Sequence, residues 1–319
     1  MKIKKWHIAL ILISLCSFIL IFSLNIKSNK SKKEIGIIQI IEHDCLDEAR
    51  KGFIDRLLEL GYKDGENLKI DYQNAQGDQS VLNSIANNFV QGKKDLILAI
   101  STPAAQAVIN LTKDIPILFT AVTEPKFCGL VAPNVTGTSD MVPVEKQIGL
   151  IKQLLPDAKK IAVLYCSNEI NSKIQAEMAA NAANKLGMET KNYTISNSNE
   201  LQQVVEYMDK SIDAIFVPTD NLVVSCMPIV SKIATSHRIP IICSEVASVK
   251  NGAVATYGMD YYELGRITAR QAADILEGKK KPENMPIEYL KDTKLTLNYE
   301  IIEKLKIKIP EELKGLLKN

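Results

Sequence analysis

The sequence predicts an α/β protein of two doubly wound lobes with a hinge of several crossovers, and three observations carry that prediction. Short β-rich runs alternate with amphipathic helical stretches from residue 35 onward. The order of elements repeats once, starting at Lys160. A strand and a long helix then follow the second set, so the chain returns to the first lobe and crosses the junction more than once. The length of 319 residues accommodates two domains of ordinary size.

Residues 35–41 form a continuous apolar run of strand length, the pattern of a parallel strand buried on both faces. Leu46, Ala49, Phe53, Ile54, Leu57 and Leu58 recur at helical spacing, and Gly61 stands at the expected stop. A strand at 68–74, a helix at 81–91 and a strand at 95–101 follow. Pro103 opens another helix in the first turn, where its missing N–H costs nothing. Strands at 115–122 and 135–139 close the set.

The second set gives a strand at 161–166, a helix at 172–186 stopped by Gly187, a strand at 190–195 and a helix at 201–209. A strand at 213–218, a helix at 222–236 and a strand at 239–244 complete it. Asp95-Leu-Ile97 lines up with Asp213-Ala-Ile215, and Ile115-Pro-Ile117 with Ile239-Pro-Ile241. Beyond Glu245 come an extended segment at 253–260, a helix at 261–277 and an extended segment at 287–298. The domain reading is 34–140 plus 259–285 for lobe 1 and 141–258 plus 286–319 for lobe 2, after an N-terminal segment of 1–33.

That N-terminal segment contains a continuous apolar run at 6–24, flanked by Lys2, Lys4 and Lys5 and by Lys27, Lys30, Lys32 and Lys33. Its length approaches the hydrocarbon thickness of a bilayer, as in an export signal or a retained anchor. No A-x-A-like cleavage pattern follows, and Leu15 stands where lipidation at Cys16 needs a small residue, so a retained anchor is the expectation. Residues 25–33 form a polar tether.

Composition excludes several classes. Hydrophobic residues make up 46% and charged residues 24%, a globular profile, and the net charge of +2 lacks the basic excess of a nucleic-acid binder. Among the six cysteines there is no CxxC pair and no zinc-like Cys/His spacing, so they read as small buried hydrophobes and no metal or cofactor is expected. There is no G-x-G-x-x-G, no G-x-x-x-x-G-K-[ST] and no G-x-S-x-G, and the only histidines are His7, His43 and His237. Catalysis is therefore not expected.

Several stretches resemble a known family: Ile37-Ile-Gln-Ile-Ile-Glu-His43, Asp71-Tyr-Gln-Asn-Ala-Gln-Gly-Asp78, Ser101-Thr-Pro-Ala-Ala-Gln106, Pro218-Thr-Asp-Asn221, Thr256-Tyr-Gly-Met-Asp-Tyr-Tyr-Glu-Leu-Gly265 and Pro286-Ile-Glu-Tyr-Leu-Lys-Asp292. Together, over about residues 34–300, they look like the substrate-binding proteins of ABC transporters described as tryptophan/tyrosine or aromatic-amino-acid binding. The resemblance implies a type I periplasmic-binding-protein fold with Rossmann-like lobes. It also implies an extracytoplasmic location and service to an importer with permease and ATPase subunits. The chain departs from the family's usual wording at 124–130 and 244–248.

Ligands of open α/β sheets bind at the carboxyl ends of the strands, which here face each other across a cleft. An amino acid needs an anion site, a cation site and a side-chain pocket. Ser101 and Thr102 end a strand where a helix begins, so backbone N–H groups and hydroxyls suit a carboxylate, and Ala104 allows close approach. Asp220, between Thr219 and Asn221 in the second lobe, suits the ammonium group, and Asp260 is a second candidate; both are equally helix caps. Glu42, His43 and Thr123 end strands of lobe 1, and Ser167, Asn168, Asn171 and Ser172 face them from lobe 2. Tyr165, Phe119 and Tyr261 are candidates to stack on an aromatic ligand. A ligand-sensing domain of the same fold, reporting to a membrane receptor, is the alternative to a transport role. A repressor is disfavoured because the apolar run replaces its helix-turn-helix.

Overall fold

The computed structural model describes residues 32–290 and 292–316. The apolar run at 6–24 lies outside them, and no helix among the described residues is long and apolar enough to cross a membrane.

Strands β1 (Lys33–Gln39), β2 (Leu68–Asn74), β3 (Leu96–Ile100), β4 (Ile117–Val122) and β5 (Val135–Ser139) build the first sheet. Its order is β11-β5-β4-β3-β1-β2, where β11 is Glu288–Tyr289, and its described pairings are parallel. Strands β3, β4 and β5 are buried along their whole lengths, which is why β3 and β4 read as apolar runs without alternation. Helices α1 (Asp44–Glu59), α2 (Gln79–Gln91) and α3 (Thr102–Ile109) connect them.

Helix α4 (Val144–Leu154) leads into the second lobe. There β6 (Lys160–Cys166), β7 (Glu189–Ile195), β8 (Ala214–Val217), β9 (Ile241–Cys243), β10 (Ala255–Gly258) and β12 (Lys294–Leu297) form a sheet of order β12-β10-β9-β8-β6-β7. Its helices are α5 (Ile170–Lys185), α6 (Leu201–Glu206), α7 (Asn221–Ser225), α8 (Met227–Ser236) and α9 (Val246–Lys250). The second order repeats the first, with β12 at the edge where β11 stands, but β12 runs antiparallel to β10 whereas β11 runs parallel to β5.

The repeated tripeptides hold equivalent places and do equivalent work. Asp95 accepts a hydrogen bond from the Glu34 amide at the start of β1, and Asp213 accepts one from the Lys160 amide at the start of β6, both at 2.9 Å. The carbonyls of Pro116 and Pro240 accept from the amides of Ile97 and Ile215 at 3.0 and 2.9 Å. Each proline thus sits at the mouth of a central strand, where its missing N–H leaves no gap in the ladder.

The structure corrects the sequence reading in three places. The helix expected at 222–236 is broken at Cys226 into α7 and α8, because Pro228 has no N–H to continue the helical ladder. Helix α4 was not expected, although Val144, Ile148, Ile151 and Leu154 bury one face of it. The crossover placed at 286 falls after Tyr289, because β11 pairs with β5 of the first sheet.

Among the described residues the chain passes between lobes three times: from β5 to α4, from β10 to α10 (Tyr261–Leu276), and from β11 to β12. Helix α10 belongs to lobe 1, lying on α1. The two helices meet at glycines. A Cβ on Gly52 would come 2.0 Å from the Tyr262 carbonyl oxygen, and one on Gly265 would come 1.9 Å from that of Ala49. Gly265→Ala is therefore expected to force the helices apart and destabilise the protein by about 2–4 kcal/mol, measured by urea unfolding. An unchanged midpoint would show that this crossing is not tightly constrained.

Candidate functional site

The carboxyl ends of both sheets converge on one buried polar region. From lobe 1 it receives His43 before α1, Ser101 and Thr102 at the start of α3, Thr123 after β4 and Asp140 after β5; all are buried. From lobe 2 come Glu169, Asn171 and Ser172 after β6, Thr219, Asp220 and Asn221 after β8, and Ser244 and Glu245 after β9, also buried. The lobes touch here: His43 Nδ1 lies 3.9 Å from Glu245 Oε2, and Asn251 Nδ2 donates to Asp44 Oδ2 at 3.2 Å.

Ser101 occupies the most unusual backbone position in the region. Its φ of +93° is one that side chains other than glycine's rarely adopt, yet it is buried. Its side chain does not cap α3, and its Oγ has no hydrogen-bond partner. In the first turn of α3 the amides of Thr102 and Ala104 have no intrahelical acceptor, Pro103 having no N–H. Thr102 Oγ1 accepts from the Thr123 amide, which ties the ends of β3 and β4 together.

Both walls carry acids, Asp140 in lobe 1 and Glu169, Asp220 and Glu245 in lobe 2. Asp140 accepts from Thr123 Oγ1 at 2.7 Å and from the Tyr261 hydroxyl at 3.0 Å, and burial pushes its carboxyl up to about 6. Glu169 accepts from Asn171 Nδ2, from Asn221 and from the Leu222 amide. Burial, reinforced by the neighbouring Asp220, pushes Glu169 up to about 8. Asp220 is raised too, chiefly by burial, and Glu245 rises to about 8 through burial and the surrounding carboxyls. Lys94 is the only buried Lys or Arg among the described residues, and it pairs with Glu34 and Asp71 at the far end of the first sheet. Burial lowers His43 to about 4, so its imidazole is neutral. Four buried carboxyl groups therefore share a region with no fixed cation, a condition that favours protonation or a cationic guest.

The residues singled out from sequence divide into two groups. His43, Ser101, Thr102, Ala104, Thr123, Asn171, Ser172, Thr219, Asp220, Asn221 and Tyr261 are buried in or beside this region. Asp220 is fully engaged in the protein: its Oδ2 accepts from the Cys166 amide at 2.6 Å and its Oδ1 from the Val223 amide at 2.8 Å, the latter as the cap of α7. Tyr261 spends its hydroxyl on Asp140. Glu42 and Asn168 are exposed; Ser167 donates to the carbonyl of Ile195 at the end of β7, and Asn168 to that of Ser196 just after it. Asp260 is exposed and caps α10 through the Glu263 amide. Phe119 and Tyr165 pack in the core.

Asp140, Glu169 and Glu245 were not anticipated. Each stands just past a strand end, the same signal that flagged Asp220, but no helix-capping motif drew attention to them. The gathering of His43, Cys45 and Glu245, with ligating atoms within 4.8 Å of one another, was also invisible to spacing because Glu245 is remote in sequence.

A cavity of about 850 Å³ opens beside this region, on the flank where the crossovers run. It is bounded by Cys45 and Asp47 of α1, Val246 and Lys250 of α9, and Tyr262 and Lys294. Its lining does not include Ser101, Asp140, Glu169 or Asp220.

Residues 34–317 match the sequence profile of the family described as "ABC transporter substrate binding protein". A relative from Clostridioides difficile (strain R20291), named tyrosine-binding protein, is 48% identical over 87% of this chain and 82% of its own length. A domain from Streptococcus pneumoniae solved in complex with L-Trp is 37% identical and covers 90% of this chain and 98% of its own, with a TM-score of 0.86. A ligand-free, open substrate-binding protein with adhesive properties from Clostridium difficile is 46% identical, covering 87% of this chain and 96% of its own, but its TM-score is 0.65. Overall agreement thus runs against identity. The described residues align better with the L-Trp complex than with the open form, consistent with a difference in lobe orientation rather than in the lobes themselves.

Proposed function

Because the chain belongs to the family of ABC transporter substrate-binding proteins, we propose that it closes its two lobes on a free amino acid, an aromatic one such as tyrosine or tryptophan, and hands it to an importer's permease and ATPase subunits. One observation carries the amino-acid reading: three buried carboxyl groups of lobe 2, Glu169, Asp220 and Glu245, stand without a buried cation opposite a lobe 1 helix start whose strained serine has an unpartnered hydroxyl. A zwitterion complements both ends. Its carboxylate takes the first-turn amides of α3 and Ser101 Oγ, and its ammonium compensates the acids of lobe 2. The names of the Clostridioides and Streptococcus relatives support an aromatic side chain. In this reading the segment at 1–33 holds the globular part at the outer face of the membrane as a retained anchor.

The purified full chain, kept soluble with mild detergent, tests this by thermal shift against the common amino acids, sugars and nucleosides. L-Tyr or L-Trp at a hundredfold excess over Kd is expected to add about 2.7 kcal/mol of apparent stability. A shift with sugars or nucleosides alone would sink the amino-acid reading. Loss of labelled-tyrosine uptake on deletion of the protein would support the importer over a receptor-coupled sensor.

A further inference from the structure

We propose that His43, Cys45 and Glu245 form a binding site for a divalent cation of the zinc type, which staples the closed lobes together. His43 and Cys45 come from the start of α1 in lobe 1, and Glu245 precedes α9 in lobe 2. An imidazole nitrogen, a thiol sulfur and a carboxylate oxygen are the donors that borderline-soft divalent metals prefer. Their ligating atoms lie within 4.8 Å of one another, and His43 Nδ1 and Glu245 Oε2 are 3.9 Å apart. A tetrahedral zinc centre with its usual bond lengths holds donor atoms roughly 3.3–3.7 Å apart, so the three need to close by about 1 Å or less.

A second observation is independent of that proximity. Both ring nitrogens of His43 and the Oε2 of Glu245 have no hydrogen-bond partner, although the residues are only 8% and 2% exposed. Buried polar atoms are nearly always paired, so three orphans in one place point to a missing partner. The neutral imidazole offers one lone-pair nitrogen, so a cation satisfies that nitrogen and the Glu245 oxygen together, while the other ring nitrogen keeps its N–H as a donor. Three protein ligands leave a fourth position for water or a carboxylate.

Cys45 borders the 850 Å³ cavity on the crossover flank, which supplies both access and room for that fourth ligand. The cavity is lined by Asp44, Asp47, Glu48, Asp260, Glu263 and Asp292 against three lysines, so its field attracts cations. The other charged groups near the site, Asp140, Glu169 and Asp220, are acidic as well. On binding, the Cys45 S–H bond breaks as a sulfur–metal bond forms, and the Glu245 carboxyl, raised to about 8 by burial, gives up its proton as its oxygen binds; both protons leave to solvent, while one His43 nitrogen donates its lone pair. Thiolate and carboxylate together neutralise a divalent ion, so no net charge is buried. Because the ligands come from both lobes, the metal favours the closed state whichever solute the cleft takes.

The test uses the full chain, stripped with a chelator and free of amino acid. Calorimetric titration with zinc alone is expected to give one site per chain, and cobalt(II) to show a thiolate-to-metal charge-transfer band. Cys45→Ala and Cys45→Ser are each expected to weaken zinc binding at least about tenfold and to abolish the band, with circular dichroism confirming the fold. Small-angle scattering is expected to show compaction with zinc in the wild type. Zinc binding that survives both cysteine variants, a cobalt spectrum without the thiolate band, or no binding would each overturn the proposal. Amino-acid binding by Cys45→Ser distinguishes failure of this site from failure of the cleft, because Cys45 has no part in the zwitterion site.

Discussion

Asp220→Ala is expected to weaken amino-acid binding more than tenfold and to lower the stability of the ligand-free protein by about 2–4 kcal/mol. From sequence alone, Asp220 was equally a ligand contact and a helix cap. The structure shows the cap through Val223 and adds a second duty, the hydrogen bond to the buried Cys166 amide. Alanine leaves that amide without an acceptor and frees the start of α7, which costs about 1–3 kcal/mol and about 1 kcal/mol respectively. The same change removes one of the four acids that favour an ammonium group and loosens Thr219 and Asn221 beside it. Asp220→Asn separates the effects. Its amide oxygen retains one of the two hydrogen bonds, so part of the stability returns, but the charge does not. Calorimetry on both variants with L-Tyr, alongside urea unfolding, reads the two quantities. Full affinity in Asp220→Asn would remove the charge of Asp220 from recognition.

Ligand affinity is also expected to rise with pH between about 5.5 and 8, by up to about tenfold per unit where one proton is released. Glu169 and Asp220 lie side by side in a buried region, and two like charges there cannot both ionise cheaply. The ligand-free pair therefore holds a proton, with Glu169 pushed up to about 8 from an ordinary value of 4.5 by burial and by Asp220. The folded protein then binds more protons than the unfolded chain across this window. Its stability contribution is fully present below about pH 4.5 and is lost as the pH rises through about 8. An ammonium guest favours the ionised pair and displaces the proton, so the ligand-bound form escapes this loss. Thermal melts of the free and tyrosine-saturated protein from pH 5 to 8.5 should diverge as the pH rises. Parallel curves would show that no proton leaves on binding.

Much of the frame was legible in the residues. The continuous apolar runs gave β1, β3, β4, β6, β8 and β9, because strands buried on both faces have no polar side to interrupt them. The duplicated Asp-x-Ile and Ile-Pro-Ile tripeptides marked corresponding strands, for the local reason that each aspartate and each proline carbonyl anchors a neighbouring strand end. Ser101 and Asp220 were legible as strand-end residues at helix starts. Less legible were the two-residue β11, too short to carry a pattern, and the break at Cys226, which Pro228 announces but an apolar helical period conceals.

Sequence by itself determined that two similar parallel-sheet lobes face a cleft with their strand ends, because hydrophobic periodicity and helix punctuation act over a few residues. Only the tertiary structure decided which acids share that cleft, that Ser101 is strained and its hydroxyl unpartnered, and that Glu245 reaches His43 and Cys45 across the lobes. Those facts depend on distances between residues up to two hundred positions apart, and on burial, which raises carboxyl pKa values only once the chain has closed around them.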